Sequence, residues 1–543
     1  MSTGTFTFTY DKSVGMCRVE SDSAELYGKL LEIYTVSNPS FFFEQQSNPE
    51  KATEFLSVIT PTGTFKTGMF LPIYKSVMEL VGKDKSRIII DDETKRCIAS
   101  ESSPLNGIIG EDYEIEQMDE KRPFRYYQLD ALKKLLKYGK GICVSPTGSG
   151  KSYIIATLIN ELVKNSDRIE DFKKRPKILL VVPTRQLVDQ MYKDFEEYGL
   201  GGICKWTSNS GKKRAGTFED NSCKNGFARI IITNHKWICD HFKANPFLKK
   251  EIGCIIADEV HTVKRKTRIL KVVERIKSRI RFGFTGTLPG FIFDKWSVIG
   301  SFGIPVYMAE IKKFQDEGFL SKIEIQPIYG IINDLEHHNE LLYSINHKYK
   351  LNDTLPDGTV VDTSLPFKME NEFFEVNAKE LYAPMFEKIS ELFDMKNRNL
   401  IVLFDRITIG RNIFDALNEM FVKDGIKVHY IDGSIDVADR ERIRSELENT
   451  NGNILVAQAV TASVGLNIRN LNGIAFAFAG RSFVRVIQSI GRVIRLKDDG
   501  STSQLFELYF NTRYSDAHHD EKMDILKSQY GKDCIKRDVV VRI

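Results

Sequence analysis

At 543 residues the chain is too long for one hydrophobic core, so two to four domains are expected. Hydrophobic residues make up 42% and charged residues 28%, an ordinary globular balance. The formal net charge of +4, from 77 Lys plus Arg against 73 Asp plus Glu, gives no bulk argument for a polyanionic partner; any such surface must be a local concentration of charge. No apolar run is long enough for a bilayer, and the opening "MSTGTFTFTY" lacks the basic and apolar regions of a signal peptide, so no membrane partner is expected. Eight scattered cysteines with no CxxC pair fit a reduced, cytoplasmic protein.

Residues 1–115 read as a small α+β accessory domain. "TFTFTY" alternates as a strand, "SAELYGKLLEIY" and "FLPIYKSVMELV" read as helices, and "SRIII" as another strand. "GICVSPTGSGKS" (141–152) then joins a short apolar strand to the apolar helix "YIIATLINELV" through a glycine-rich turn. That is the context of a phosphate-binding loop. The nucleotide-binding candidates are Pro146, Thr147, Gly148, Ser149, Gly150, Lys151 and Ser152. Gly148 and Gly150 let backbone N–H groups crowd around phosphate oxygens, and the helix start adds partial positive charge. Lys151 suits the β- and γ-phosphates and Ser152 a Mg²⁺ ion. Ser145 stands where the strict pattern has its first glycine.

"LLVVPTRQLVDQ" (179–190) is a strand, a turn and a helix, and "IIITNHKWI" (230–238) is a strand ending in polar residues. "CIIADEVH" is a buried strand ending in an acidic pair. After a phosphate-binding loop, Asp258 reads as the Mg²⁺ ligand and Glu259 as the group that orients or deprotonates water. "VKRKTRILKVVERIKSRIR" (263–281) is the densest basic stretch. Its apolar face, Ile269, Val272, Val273, Ile276 and Ile280, predicts one amphipathic helix whose basic side either faces solvent or touches phosphates. "FGFTGTLPG" (282–290) follows.

Residues 326–375 are polar and read as a linker or insertion, either family-specific or strand-separating, with a turn at "LPDGTVV". "DLEHHNE" and "SDAHHDE" hold paired histidines among acids; solvated loops are expected there rather than metal sites. A second α/β region follows with no phosphate-binding loop: "NLIVLFDR" (399–406), "VHYIDGS" (428–434) and "ILVAQAVTASVGLNIRN" (454–470). It closes on "VIQSIGRVIR", where Gln488, Arg492 and Arg495 share a helical spacing. Arginines in so apolar a stretch need an anion: the γ-phosphate of a nucleotide is the expected one, with structural salt bridges as the alternative. The tail, 501–543, reads as a C-terminal extension that packs back on this region.

This ordered set, over about residues 120–495, resembles the superfamily 2 helicases and translocases with a DEVH box. The points "YQLDA", "PTGSGKS", "FGFTGTL", "SVGLNIRNL" and "VIQSIGRVIR", with "GIPVYMAEIKKFQDEGFLSKIEI" (303–325), are most similar to the UvsW-type phage recombination helicases. The resemblance implies an α/β fold of two tandem RecA-like domains, at 116–325 and 376–500, sharing one ATP. By motif, Gln128 would read adenine with Arg125 in support. His261, Thr285 and Thr287 would couple ATP state to domain closure. Gly465 and Asn467 would approach the nucleotide from the second domain, and Gln488 would help close on it. Thr184, Arg185, Thr233 and Asn234 in the first domain, with Arg406 and Thr461 in the second, would contact nucleic-acid phosphates. The related N-terminal domains are implicated in substrate binding, while a packing or dimerisation role stays open.

The resemblance implies an enzyme, a nucleic-acid-stimulated ATPase and DNA helicase using ATP and Mg²⁺. It would act on single-stranded and branched DNA in a bacterial or phage-infected cytosol, beside replication or recombination proteins. An RNA helicase, the motor subunit of a restriction or defence complex, and an ATP-gated binding module stay open. The motifs read backbone and so discriminate DNA from RNA poorly.

Overall fold

The computed structural model describes residues 4–11, 15–41, 44–45, 49–98, 103, 105, 108, 113–207, 229–243, 250–333, 335, 365–465, 468, 470–477, 490–491 and 500–543. Two compact units divide the chain: residues 1–145 with 150–308, and residues 146–149 with 309–543.

The first unit opens with a four-stranded sheet in the order β5-β2-β1-β6. Its strands are β1 (Phe6–Asp11), β2 (Met16–Ser21), β5 (Thr64–Lys66) and β6 (Ile88–Ile90); β3 (Thr35–Ser37) and β4 (Phe55–Ser57) pair separately. Alternation turns Phe6 and Phe8 inward, where the helices Ala24–Ile33 and Phe70–Leu80 supply Leu26, Leu30, Ile73 and Val77. This accessory layer shares one apolar core with the main sheet of its unit. A Cβ at Gly68 would lie 2.1 Å from the Ile299 carbonyl oxygen, so the glycine is what permits this contact. Nearby, Tyr34 packs on Trp296 with ring centroids 5.4 Å apart. The N-terminal layer is therefore a packing partner of the seven-stranded sheet of its unit.

That main sheet is seven parallel strands in the order β13-β7-β12-β11-β8-β10-β9. They are β7 (Lys140–Val144), β8 (Lys177–Val182), β9 (Ile203–Trp206), β10 (Ile230–Asn234), β11 (Ile252–Ala257), β12 (Ile280–Thr285) and β13 (Pro305–Met308). Every residue of β8 and β11 is buried, as expected of parallel strands covered on both faces. In such sheets ligands bind beyond the carboxyl ends of the strands. The loops that follow β7, β8, β10, β11 and β12 carry the motif residues and open on that one edge.

The second unit repeats the plan with seven parallel strands ordered β16-β17-β15-β18-β19-β14-β20. They are β14 (Ile323–Ile331), β15 (Leu400–Phe404), β16 (Lys427–Ile431), β17 (Asn453–Gln458), β18 (Gly473–Phe476), β19 (Ser503–Phe510) and β20 (Val539–Arg542). The sheet thus draws on residues outside the expected 376–500 domain. β14 comes from the stretch expected to begin the linker, and β19, buried along nearly all its length, and β20 from the tail.

Two local expectations are corrected. The basic stretch is not one helix: the helix spans Arg268–Arg275, and Ile280 begins β12. Arg281 ends it. Its half-buried guanidinium donates to the carbonyls of Ser278 (2.8 Å), Ser301 (3.1 Å), Val273 (3.0 Å) and Ile276. Other charges of this stretch are spent on ion pairs: Arg265 and Lys266 with Glu44, Arg268 with Asp240, and Arg279 with Asp171. The histidines of "SDAHHDE" lie in the helix Arg513–Tyr530, not a solvated loop. His518 and His519 are buried, and the His519 ring stacks on Tyr509 at 3.6 Å. "DLEHHNE" and "LPDGTVV" fall mostly or wholly outside the described residues.

Candidate active site at the carboxyl edge of the first seven-stranded sheet

β7 runs into the loop 145–150 and the helix Lys151–Lys164. Gly148 and Gly150 adopt φ of +88° and +84°, a turn that side chains with a Cβ resist. Ser145 is buried and its N–H donates to the Thr285 carbonyl (2.9 Å), tying the loop to β12. Ser149 Oγ donates to the Pro146 carbonyl (2.7 Å), and Lys151 Nζ to the Ser145 carbonyl (3.0 Å). Thr147 and Ser152 are half-buried. Gln128 lies across the end of the loop: a Cβ at Gly150 would come 2.5 Å from its Nε2. Arg125 is fixed beside it, its N–H donating to Gln128 Oε1 (3.1 Å) and its Nη1 to the Tyr127 hydroxyl (2.9 Å).

Two strands away, β11 delivers the acidic pair. Asp258 is 6% exposed and its N–H donates to the Val181 carbonyl (3.0 Å). Burial, reinforced by Glu259, lifts its carboxyl to about 7 against the pull of Lys151. Its Oδ1 is buried and accepts no hydrogen bond. A carboxylate held so, with a buried oxygen that accepts no hydrogen bond among the described residues and a lysine in range, has the chemistry of a divalent-cation ligand.

Glu259 sits at φ +50°, a strained angle for a residue other than glycine. Its Oε2 lies 3.2 Å from His261 Nδ1 and 3.5 Å from Thr285 Oγ1. His261 Nδ1 is 2.9 Å from Thr285 Oγ1, which donates to the Thr287 carbonyl (2.6 Å). These acceptors assign the proton to Nδ1. One network therefore joins Glu259, His261, Thr285 and Thr287.

A further residue joins it unforeseen. His235 begins the helix His235–His241 after β10. Burial, and His261 nearby, push its imidazole down to about 4, and its buried Nε2 has no hydrogen-bond partner. The signal in the sequence was a histidine directly after an apolar strand's polar end.

The residues proposed for a nucleic-acid strand separate. Thr184 caps its helix, its Oγ1 accepting from the Leu187 N–H (3.4 Å), and Arg185 is exposed. Asn234 is half-buried. Thr233 is fully buried and its hydroxyl donates to the Trp206 carbonyl (2.8 Å). In the second unit Arg406 is exposed and paired with Glu375, and Thr461 Oγ1 donates to Gln458 Oε1 (3.2 Å). Gly465 ends the helix Ala459–Gly465. Asn467, Gln488, Arg492 and Arg495 lie outside the described residues. Among the described residues no helix is long and apolar enough to cross a membrane, and no group of three metal-ligating side chains forms.

The edge is thus divided by strand order. β7, β12 and β11 carry the phosphate-type residues, and β8 and β10 the strand-type residues, with the acidic turn on the border. From β7 to β10 is four strand spacings, roughly 19 Å.

Comparison with known proteins agrees with this arrangement. Residues 121–290 match the family model of the type III restriction enzyme, res subunit, and residues 385–497 that of the helicase conserved C-terminal domain. The ATP-dependent DNA helicase uvsW of Enterobacteria phage T4 is 24% identical over 384 residues, 70% of this chain and 68% of that protein. A putative helicase of a Sulfolobus islandicus filamentous virus is 22% identical over 419 residues, 75% of this chain and 68% of that protein. A solved fragment of a putative HsdR subunit of a type I restriction enzyme from Vibrio vulnificus shares the fold at a TM-score of 0.53 and 16% identity, over 87% of this chain and 74% of that one.

Proposed function

We propose that this chain, an ATP-dependent superfamily 2 helicase of the UvsW-like kind, is a phage-encoded motor that remodels branched or duplex DNA by unwinding, branch migration or annealing in recombination, repair and replication. One observation carries the reading: the Glu259–His261–Thr285 network beside the orphaned Asp258 carboxylate, on the sheet edge that also presents Lys151.

Lys151 and the 146–150 backbone bind the ATP phosphates, with Arg125 and Gln128 at the base. Ser152 and Asp258 would hold Mg²⁺, which when bound offsets charge on the phosphates and gives the Asp258 carboxylate its missing partner. Glu259 takes the proton of the attacking water. His261 and Thr285 hold its carboxylate in the orientation that transfer needs. Arg492 and Arg495, with Gln488, are proposed to stabilise the charge that spreads over the transferring phosphoryl group. Gly465 and Asn467 are proposed to approach the nucleotide.

Thr184, Arg185 and Asn234 are proposed to hold DNA phosphates without reading sequence, as are Arg406 and Thr461. A bound strand can reach Glu259 through the helix His235–His241. That helix starts beside Asn234 and packs on the helix after the acidic turn, where Arg268 meets Asp240 at 2.7 Å.

The matched restriction-enzyme model and the HsdR likeness favour one second reading, the motor of a restriction complex, with the same ATP chemistry. Steady-state ATPase of the full chain separates these readings, using single-stranded DNA, duplex, fork, four-way junction and RNA. Greatest stimulation by branched DNA is expected. Stimulation by linear duplex alone favours the restriction motor, and stimulation by RNA alone, or by nothing, overturns the proposal.

A further inference from the structure

The second unit holds a cavity of about 200 Å³ that the ATP chemistry does not use. It lies at the carboxyl ends of three neighbouring strands: Asp405 and Arg406 follow β15, Ala477 follows β18, and Phe510 ends β19. In parallel α/β sheets this is the edge where ligands enter. The walls are rings, from Phe367, Phe374 and Phe510. The inner end is electrically neutral, because the buried Lys522 ammonium is paired with the buried Glu507. Arg406 is the exposed member of the lining and so marks the mouth.

Two polar side chains line this space. Asn371 is 8% exposed; its Nδ2 donates to the Phe367 carbonyl (2.7 Å), and its Oδ1 accepts nothing among the described residues. Tyr382 is 6% exposed and also lines the cavity. An acceptor and a hydroxyl that line one cavity are available to whatever enters it. Flat aromatic walls want a flat ring, and the two groups want donors and acceptors on its edge. Size agrees: an apolar cavity of roughly 150 Å³ holds one benzene, whereas sites for whole drug-sized molecules run to roughly 300–1,000 Å³.

We propose that this cavity receives one unstacked nucleobase of the strand that the motor tracks, with that nucleotide's phosphate at Arg406. The inference rests on reading the chain as a nucleic-acid motor. The Arg406–Glu375 pair is half exposed, so exchanging the carboxylate for a phosphate costs little. A base held against these rings gives a purchase that phosphate contacts alone lack, and it is tolerant of sequence because every base has a flat face.

The test compares the strand concentration that half-saturates ATPase stimulation for single-stranded DNA and for an abasic strand of equal length. Wild type should favour the base-bearing strand by roughly tenfold or more. Asn371→Leu, which removes the acceptor at similar volume, and Ser515→Phe, which fills the mouth, should move toward the abasic value while their response to the abasic strand stays put. Photocrosslinking of 5-iododeoxyuridine DNA should map to Phe367, Phe374, Tyr382 or Phe510 and should be lost in the variants. Tyr382→Phe, which deletes one oxygen, keeps the test valid if Ser515→Phe does not fold.

If neither strand stimulates hydrolysis, the motor reading fails. If both stimulate and the variants discriminate as wild type does, the motor stands and the cavity proposal fails. Displacement of the crosslink by free nucleosides at equal concentration per base also overturns it, in favour of a site for a free nucleoside.

Discussion

Replacing Asp258 by asparagine keeps the side chain's size and removes its charge. In the cation-free protein, burial and Glu259 raise the Asp258 carboxyl from 3.8 to about 7. A raised carboxyl pKa means that folding favours the protonated form. The contribution is complete below pH 4 and is lost as pH rises through 7. Between pH 5 and pH 8 the ionised group therefore costs the folded state a further ~2–3 kcal/mol, at about 1.4 kcal/mol per unit. Asparagine has no such dependence. Scanning calorimetry in chelating buffer should show wild type losing roughly 5 °C relative to Asp258→Asn over that range, at about 2 °C per kcal/mol for a large unit. Adding Mg²⁺ with a non-hydrolysable ATP analogue should reverse the order, because only the carboxylate gains a partner. A melting gap that does not change between pH 5 and pH 8, or a variant that Mg²⁺-nucleotide stabilises as strongly as wild type, would refute the reasoning.

What could be read in the sequence was what lay close together in it. Residues 141–152 contain the strand, the turn and the helix start of one phosphate-binding element, so local chemistry alone identifies it. β11, and β8 after Lys177, are apolar runs, as parallel strands covered on both faces are. Partners distant in sequence were not legible. Nothing in "VKRKTRILKVVERIKSRIR" says that Arg265 meets Asn38 at 3.0 Å, or that Arg281 collects backbone carbonyls. A basic face looks the same on paper whether its charges are solvated or paired. The burial of Thr233 was not legible either: β10 is covered from Ile230 to Thr233, and nothing in the sequence says at which residue that cover stops. β14, β19 and β20 escaped the expected domain limits because parallel order is set by crossovers, not by adjacency along the chain. The His261–Thr285 contact crosses 24 residues, and family resemblance suggested a role for each residue without suggesting the bond.

Lys151→Ala should abolish ATP turnover while fluorescence anisotropy shows nucleic-acid binding largely retained, since the lysine serves phosphate and not the strand. Thr285→Val removes the oxygen that His261 and Glu259 both approach, so kcat should fall tenfold or more with ATP affinity unchanged. Arg281→Met leaves four carbonyls without their donor and should cost about 3 kcal/mol or more, read as a lower melting temperature with little change in kcat per folded molecule. Arg492→Ala and Arg495→Ala should behave in the opposite way, slowing hydrolysis far more than they weaken ATP binding or stability. An arginine that meets charge only as it develops acts on kcat, and its loss can cost about 10³-fold. Arg→Lys decides between roles: lysine keeps the charge and loses the planar fork, so a transition-state contact stays impaired. Full turnover in the Arg→Lys variants, or a melting temperature that falls while kcat per folded molecule holds, would make this stretch scaffold rather than catalyst.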